Sequence, residues 1–282
     1  MHNIPQHKSS HLLDTGIHLR RIGPETPDIA PVAYAHQDDY YIFGLVESGT
    51  GCGIVDFNEL HFRAGHVFLI QPGQVHNFIR SENAEGWLLI ADSSLVGSTE
   101  KCIFDKFSLF ASSFGIDGQR RNELGQIAAL LAGRTGHTAD RLAKENARRL
   151  AETFIGIVAE AMQDVDLQQT RHSQRHIEIV LSFRSLQTEH LAANRQPSYY
   201  ASLLNISAVY LNEVVKGITG MSTSRYIKQE TVLQAKRLLA HTGLSVKEVA
   251  ERLGIDDYAY FSRLFAQETG ISPTLFRQRN LE

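Results

Sequence analysis

Two stretches near the carboxyl terminus decide the fold, because the same pattern occurs in both. The first is YASLLNISAVYLNEVVKGITGMS, Tyr200 to Ser222, and the second is VAERLGIDDYAYFSRLFAQETGIS, Val249 to Ser272. Before the turn, each apolar residue of the second copy lies 49 positions after its counterpart in the first copy, and after the turn it lies 50 positions later. The second copy therefore has one extra residue at the turn. Each copy of this internal repeat predicts a short helix, a tight polar turn and a longer helix.

Capping residues predict where the short helix of the second copy begins and ends. Ser245 and Glu248 form the S-x-x-E capping box, in which each side chain hydrogen-bonds the backbone N–H of the other residue. A helix is therefore predicted to start at Val246. Gly254 is expected to end it, because glycine tolerates the left-handed conformation that is common at helix ends.

The longer helix of each copy has its own start signal. In the second copy Asp256 or Asp257 is expected to cap a helix that runs to about Thr269. In the first copy Ser207 takes the capping position and Asn205 the position of the glycine. A short helix joined by a tight turn to a second helix is typical of a helix-turn-helix, which presents its second helix to the major groove of DNA.

Helical periodicity divides each long helix into an inward and an outward face. The inward residues are Leu211, Val214, Val215, Phe261, Leu264 and Phe265. The outward residues near the helix starts are Ala208, Val209, Asn212, Glu213, Tyr258, Ala259, Ser262 and Arg263. Taken alone, this pattern also fits a helical bundle that contains an accidental repeat.

The stretch between the two copies favours the double helix-turn-helix. Thr223 to His241 predicts one continuous helix of 19 residues, which spans roughly 28 Å at about 1.5 Å per residue. Consecutive major-groove faces lie roughly 34 Å apart. A rigid helix of this length suits two reading helices held about one turn of DNA apart.

The segment AKRLLAHTGLSVKEVAERLGIDDYAYFSRLFAQETGISPTLFR, Ala235 to Arg277, resembles the signature of the AraC/XylS family of transcription regulators. The resemblance covers Gln174 to Arg279 and implies a seven-helix domain whose two recognition helices enter adjacent major grooves on one face of the DNA. By position, the resemblance implies that the base-reading residues are Val209, Asn212, Glu213, Tyr258, Ala259, Ser262 and Arg263.

Two residues depart from the family pattern: Ile255 stands where phenylalanine is usual, and Glu213 where many members have a basic residue. Arg263 suits a bidentate contact with guanine O6 and N7. Asn212 suits a contact with adenine N6 and N7, and the hydroxyl of Ser262 suits a donor or an acceptor on a base. Each of these two residues also fits a simple exposed position. Glu213 either accepts from cytosine N4 or pairs with a neighbouring Lys or Arg.

The charge distribution permits DNA binding without establishing it. The chain has 282 residues and a net charge of −3, and its length suits two domains. Residues 174–282 hold 13 Lys and Arg against 10 Asp and Glu, a net charge of +3, so the preceding residues carry −6. A mild positive bias of this kind is compatible with a DNA-binding segment.

The sequence predicts a cytoplasmic protein that does not associate with a membrane. The amino terminus, MHNIPQHKSSHLLDTG, has no apolar core of signal-peptide length. The apolar runs, such as Val67 to Ile70, are too short to span a bilayer. Cys52 and Cys102 fit free thiols in a reducing compartment and lack metal-site spacing.

The residues up to about Asp92 predict short strands, because segments rich in Val, Ile, Phe and Tyr alternate with glycine-bearing turns such as GTG at 49–51. This pattern favours an antiparallel barrel or sandwich. Beyond Thr99 the apolar spacing becomes helical, and the polar stretch Asp164 to His176 predicts a linker. We therefore expect an α+β protein with a barrel at 1–98, connecting helices at 99–168 and an all-α domain at 174–282.

The segment GHVFLIQPGQVHNF, Gly65 to Phe78, resembles the second motif of the cupin barrels that are often joined to this DNA-binding domain, matching at Gly65, Gly73 and His76. The first cupin motif is poorly kept: His36 and Glu47 remain, but no His-x-His occurs. The resemblance implies a cavity for one small ligand, with candidate ligand-binding residues His36, Glu47 and His76. We expect no metal, no other cofactor and no catalytic residue. The alternative is a cupin-type metal-dependent enzyme whose helical tail serves assembly.

The amphipathic stretch Ala139 to Val165 has apolar residues at heptad-like steps. In the family such helices pair two protomers, and the alternative is that they pack on their own barrel. The sequence as a whole predicts a ligand-responsive, sequence-specific DNA-binding regulator, with activation more usual in the family than repression. The expected partners are double-stranded DNA, a small-molecule effector, RNA polymerase and a second copy of the chain.

Overall fold

The computed structural model describes residues 6–7, 15–23, 36–56, 58–109, 111–134, 140–169 and 173–281. These residues form two compact units, one ending at Gln169 and one following it. Within the described ranges, the first unit contains eight strands and three α-helices, and the second contains seven α-helices. No helix in this part of the chain is long and apolar enough to cross a membrane.

The strands of the first unit form one sheet that bends over on itself. They are β1 (Gln6–His7), β2 (Ile17–Ile22), β3 (His36–Asp38), β4 (Tyr41–Val55), β5 (Asn58–Arg63), β6 (His66–Ile70), β7 (Val75–Ala91) and β8 (Ser113–Gly115). The order is β1-β3-β7-β4-β6-β8, with β2 paired to β7 and β5 paired to β4. The predicted α+β class with a cupin-like barrel is confirmed.

Two long strands replace the several short ones that the sequence predicts. The GTG segment at 49–51 lies inside β4, and the register between β4 and β7 shifts on both sides of Ser48. Gly49 has a positive φ of 71°, and a Cβ there would lie 2.1 Å from the carbonyl oxygen of Asn83. The glycine therefore bends the strand instead of ending it, which lets β4 and β7 each contribute to both halves of the barrel.

Two apolar cores lie on the two sides of this sheet. The core inside the barrel includes a contacting group of rings, Phe62, Phe68 and Phe78, whose centroids lie 5.0 to 6.3 Å apart. The other core joins the sheet to α1 (Ser98–Phe107), α2 (Gly118–Ala132) and α3 (Arg141–Gln169). Both sides of the sheet therefore carry a packed apolar core.

Helix α3 packs on its own barrel through an apolar stripe that includes Ala147, Ala151, Phe154 and Val158. The stretch Ala139 to Val165, of which Ala139 lies outside the described residues, therefore packs within its own unit, and the pairing of two protomers stays a prediction. The predicted linker at Asp164 to His176 is wrong in extent, because α3 continues to Gln169 and the next helix begins at Gln174. The polar run DVDLQQ lacks apolar spacing but contains no glycine or proline that would end a helix.

The second unit confirms the predicted seven-helix domain. Its helices are α4 (Gln174–His190), α5 (Pro197–Leu203), α6 (Ala208–Thr219), α7 (Thr223–His241), α8 (Val246–Arg252), α9 (Tyr258–Thr269) and α10 (Pro273–Leu281). The capping box of Ser245 and Glu248 is present, and Ser207 caps α6. Of the two candidate caps of α9, the structure selects Asp257. Asn205 and Gly254 have positive φ angles of 53° and 69°, as expected for corresponding turn positions.

Helix α7 connects the two helix-turn-helix units. Near its start, the ring of Tyr226 lies 5.7 Å from that of Phe183 in α4. Near its end, Nε of Arg277 in α10 donates to the carbonyl oxygen of Leu239 at 3.1 Å. One end of α7 thus belongs to the first helix-turn-helix and the other end to the second.

Candidate nucleic-acid interface and ligand site

The second helix of each helix-turn-helix, α6 or α9, is amphipathic in the sense that the sequence predicts. The predicted inward residues are all buried: Leu211, Val214, Val215, Phe261, Leu264 and Phe265. On the other face Val209 is 70% exposed and Tyr258 is 47% exposed. An apolar side chain exposed to this degree near the start of a helix is available for contact with a partner surface.

Arg263 lies on the exposed face of α9, close to the carboxylate that caps the helix. Asp257 Oδ1 accepts from the backbone N–H of Tyr260 at 3.0 Å, and Asp257 Oδ2 lies 3.9 Å from Nη2 of Arg263. The side chains of Arg263 and Asp257 are 70% and 64% exposed, so this ion pair is loose. The guanidinium is accessible for a bidentate contact with a base edge.

The two short polar candidates, Asn212 and Ser262, are half-buried. Oδ1 of Asn212 accepts from the backbone N–H of Thr223 at 3.1 Å, so the side chain links α6 to the start of α7. Oγ of Ser262 is buried and has no hydrogen-bond partner among the described residues. Both residues lie on the predicted face, and Asn212 has a structural contact that the sequence did not indicate.

The remaining candidates, Glu213 and Ala259, are exposed on the same faces as Val209 and Arg263 respectively. Exposed carboxylates stand close to the surface that would meet phosphates, because Asp256 and Asp257 precede α9 and Glu213 lies on α6. Since like charges repel, these acidic side chains reduce non-specific attraction to DNA.

In the first unit, Glu47 belongs to a cluster with Arg21 and Trp87. Nη1 of Arg21 donates to Glu47 Oε2 at 2.5 Å, and Nε1 of Trp87 donates to Glu47 Oε1 at 3.2 Å. The guanidinium of Arg21 also lies 4.7 Å over the Trp87 ring, which is a cation–π distance. Trp87 packs against the core between the sheet and the helices, so Glu47 faces that side.

His76 lies on the other side of the sheet. Its ring is 6.1 Å from that of Phe78, which packs in the core inside the barrel. Nε2 of His76 lies 3.4 Å from Oδ2 of Asp38, and both side chains are buried. Burial, followed by the charge of Asp38, raises the pKa of Tyr40. The structure therefore holds a buried polar cluster at His76 that does not include Glu47.

The structure does not bring the three predicted ligand residues together. His36 pairs with His76 through the backbones of β3 and β7, but its side chain lies outside the described residues. Glu47 and His76 lie on opposite sides of the sheet and cannot bind one ion jointly. Within the described ranges, no group of three or more His, Cys, Asp or Glu side chains is placed to hold a metal.

A surface cavity of about 270 Å³ lies elsewhere on the barrel and was missed by the sequence analysis. Its lining residues are Thr50, Gly51, Cys52, His61, Phe62, Arg80 and Glu82. Strand pairing creates it, because Cys52 lies opposite His61 in β5 and opposite Arg80 in β7. Without the register of these strands, no sequence signal joins residues so far apart.

Two family models match the chain. One, described as an AraC-like ligand binding domain, matches residues 31–179, which is more than half of the chain. The other, a helix-turn-helix domain, matches residues 200–279. The chain belongs to the AraC family of transcriptional regulators. This AraC family member is therefore a ligand-responsive DNA-binding regulator, with a sheet-rich ligand-binding domain followed by a helix-turn-helix domain.

Individual relatives are similar over different lengths. The HTH-type transcriptional activator RhaR of Cronobacter sakazakii is 37% identical over 81 residues, which is 29% of each chain, so that match spans less than a third of the relative. The arabinose operon regulatory protein of Escherichia coli is 25% identical over 248 residues, covering 84% of this chain and 80% of that protein. Among solved structures, one similar chain is the C-terminal domain of AraT, a response regulator from Geobacillus stearothermophilus, with 32% sequence identity. The match covers 39% of this chain and 88% of the AraT domain, and its TM-score is 0.36.

Proposed function

We propose that this AraC family regulator reads two adjacent major grooves with α6 and α9 and that it activates transcription when its amino-terminal unit binds a small molecule. The observation that carries the proposal is the placement of two capped, amphipathic recognition helices at the two ends of α7 within one unit. Helix α7 has 19 residues, and its length of roughly 28 Å approaches the spacing of adjacent major grooves.

The proposed contacts with base edges come from the exposed faces of these two helices. They are made by Val209, Asn212 and Glu213 of α6 and by Tyr258, Ala259, Ser262 and Arg263 of α9. Arg263 is the strongest of these, since arginine to guanine is the commonest specific contact. The hydrogen bond from the backbone N–H of Thr223 holds the side-chain amide of Asn212 in one orientation, which favours its proposed contact with a base edge.

The regulatory part of the proposal concerns the rest of the chain. Residues 1–98 sense the effector, with His36 and His76 near it and Glu47 acting from the opposite side of the sheet. Residues 99–168 connect and pair two copies, because Leu130 and Leu142 remain 52% and 71% exposed on α2 and α3. Residues 174–282 bind DNA.

The name of the relative RhaR supports activation of transcription. An activator of this kind works in the cytoplasm and contacts RNA polymerase at the promoter. We propose that the protein has no enzymatic activity.

Selection of bound fragments from a random pool of double-stranded DNA tests this mechanism with the full chain. Each selected sequence should contain two blocks of preferred bases whose centres lie about one helical turn, roughly 10 bp, apart. Two blocks are expected because each recognition helix enters its own groove. A single block with no preference on either side of it would contradict the two-helix mechanism.

Arg263→Ala is expected to weaken binding to the selected sequence by about 1–3 kcal/mol and to relax the preference at one guanine, which is the usual contribution of a bidentate base contact. Titration against the selected sequence and against variants at each position measures both effects. Arg252→Ala, which removes an exposed arginine at the end of α8, is the matched control and should keep the base preference. A uniform loss over all sequences would make Arg263 a phosphate contact.

A further inference from the structure

A second connection between the two helix-turn-helix units lies in the loop between α4 and α5. In this loop Arg195 points at the turn that joins α8 to α9. Its Nη1 donates to the carbonyl oxygen of Leu253 and its Nη2 to that of Gly254, each at 2.5 Å. The partners lie 58 and 59 residues further along the chain, so one side chain bridges the two halves of the domain.

The backbones meet at the same place. Gly254 has a positive φ of 69°, and a Cβ on it would lie 1.8 Å from the carbonyl oxygen of Ala192. Only glycine, which has no Cβ, permits this close approach, and it adopts the left-handed backbone conformation without steric cost. The loop and the turn are therefore packed backbone against backbone, with the guanidinium of Arg195 bonded beside the contact.

The chemistry of the contact suits arginine. The last carbonyl groups of a helix lack partners within the helix and carry the negative end of its dipole. The carbonyl groups of Leu253 and Gly254 stand at the end of α8, and the planar fork of a guanidinium donates to both at once. An ammonium group is a single point charge and does not reproduce this two-point geometry.

The position of the contact gives it a consequence for DNA binding. The turn held by Arg195 leads directly into α9, while the loop that carries Arg195 leads into α5, which packs against α6. Helix α7 joins the two units along one axis, and small torsional fluctuations of this helix change their relative orientation. A contact away from that axis opposes these fluctuations, because two separated points of attachment hold an orientation more firmly than one does.

We infer that Arg195 is a positioning residue, which holds α9 in register with α6 so that both enter their grooves together. This inference rests on the proposed two-helix mechanism. Arg195 touches no DNA in this role. Arg195 holds the two units in the DNA-bound orientation before DNA binds, so the free energy of binding is not reduced by the cost of ordering them.

Three DNA duplexes test the inference with the full-length chain. The first is the selected sequence, the second has one of its two blocks scrambled, and the third has one base pair inserted between the blocks. Arg195→Gln should lose affinity for the first duplex by about tenfold or more, since two charge-assisted bonds that hold the units in register are gone. Its affinity for the scrambled duplex should stay within about twofold of wild type, because one unit suffices there.

The altered spacing gives a readout that general destabilisation does not produce. Wild type should strongly prefer the selected spacing over the inserted one, and Arg195→Gln should show a smaller preference because its units are free to adjust. Arg195→Lys should behave like Arg195→Gln, since the ammonium does not bridge both carbonyl groups. Arg175→Gln, the same charge change at an exposed position at the start of α4, should behave like wild type. Thermal melting by circular dichroism confirms that each variant is folded at the assay temperature.

The outcomes separate the two hypotheses. Unchanged affinity and spacing preference in Arg195→Gln would overturn the inference, as would an equal loss on all three duplexes, which marks a purely structural residue. The wild-type chain alone tests the underlying mechanism. If it binds the selected and the scrambled duplexes equally well, the two-helix mechanism fails, and the positioning role of Arg195 fails with it.

Discussion

Gly254→Ala is expected to destabilise the carboxy-terminal unit by about 3 kcal/mol or more. A left-handed conformation costs an alanine about 1–2 kcal/mol, and the new Cβ would lie 1.8 Å from the carbonyl oxygen of Ala192. No rotamer relieves that clash, because both atoms belong to the backbone or are fixed by it. The loop and the turn must move apart, and the two bonds from Arg195 lengthen or break.

Gly270→Ala is the matched control for this prediction. Gly270 also has a positive φ, 77°, and ends α9, but a Cβ there would meet nothing within 4 Å. Gly270→Ala should therefore lower the free energy of unfolding only by the conformational penalty of about 1–2 kcal/mol. The difference between the two variants isolates the close approach of the backbones.

Spectroscopy allows the two units to be followed separately in unfolding experiments. The chain has one tryptophan, Trp87, which lies in the amino-terminal unit, whereas the carboxy-terminal unit is all helical. In Gly254→Ala the part of the far-UV circular dichroism transition that comes from the carboxy-terminal helices should move to lower denaturant, and the Trp87 fluorescence transition should stay in place together with the part that comes from the three amino-terminal helices. Equal stability of the Gly254→Ala and Gly270→Ala variants would show that the turn is not tightly packed against the loop.

The helical half of the fold could be predicted from the sequence because its signals are local. The capping box of Ser245 and Glu248 and the cap at Ser207 are formed by residues within four positions of one another. Helical spacing likewise predicts which residues of α6 and α9 face inward, since the period of 3.6 residues determines the face once the helix start is known. The bounds of α7, Thr223–His241, follow from the same rules.

The sheet could not be predicted at the same level, because a strand's face and partners depend on register. A shift of one residue moves every side chain to the other side of the sheet, and β4 shifts register on both sides of Ser48. Glu47 therefore lies with Trp87 on one side while His76 lies on the other. No local feature of the sequence indicates where such a bulge falls.

Long-range polar contacts were missed for a related reason. Asn212 is predicted to face outward, and it does lie on that face, but its bond to the N–H of Thr223 depends on how α6 and α7 cross. Arg195 stands in a polar loop that gives no sign of its partners at Leu253 and Gly254. Such partners emerge only from the tertiary arrangement of the helices.

Inserting two alanines after Leu233 in α7 is expected to reduce affinity for the selected two-block sequence by about 100-fold or more, because one block of base contacts is lost and each base-pair contact is worth about 1–3 kcal/mol. The insertion keeps the helix, since alanine is the best helix former. It lengthens the helix by about 3 Å and rotates one end against the other by roughly 200°. The two recognition helices then no longer face adjacent grooves together.

The structure adds a second reason for the loss. Buried residues lie on both sides of the insertion, Val232 before it and Ala235 and Leu239 after it. Rotating the later part of α7 carries α8 and α9 away from the loop of Arg195, so the contact with Leu253 and Gly254 cannot survive. The units then become independent, and each should still bind its own block.

A length-preserving control separates rotation from simple damage to α7. Replacing Gln229 and Gln234 by alanine alters two polar side chains of the same helix but leaves its length and phase unchanged, so affinity for the selected sequence should stay close to wild type. The insertion variant, in contrast, should bind the selected duplex and the duplex with one scrambled block equally, while its far-UV circular dichroism remains helical. If a folded insertion variant keeps wild-type affinity, one helix-turn-helix alone reads the DNA. Helix α7 would then be only a tether, even though the family assignment would stand.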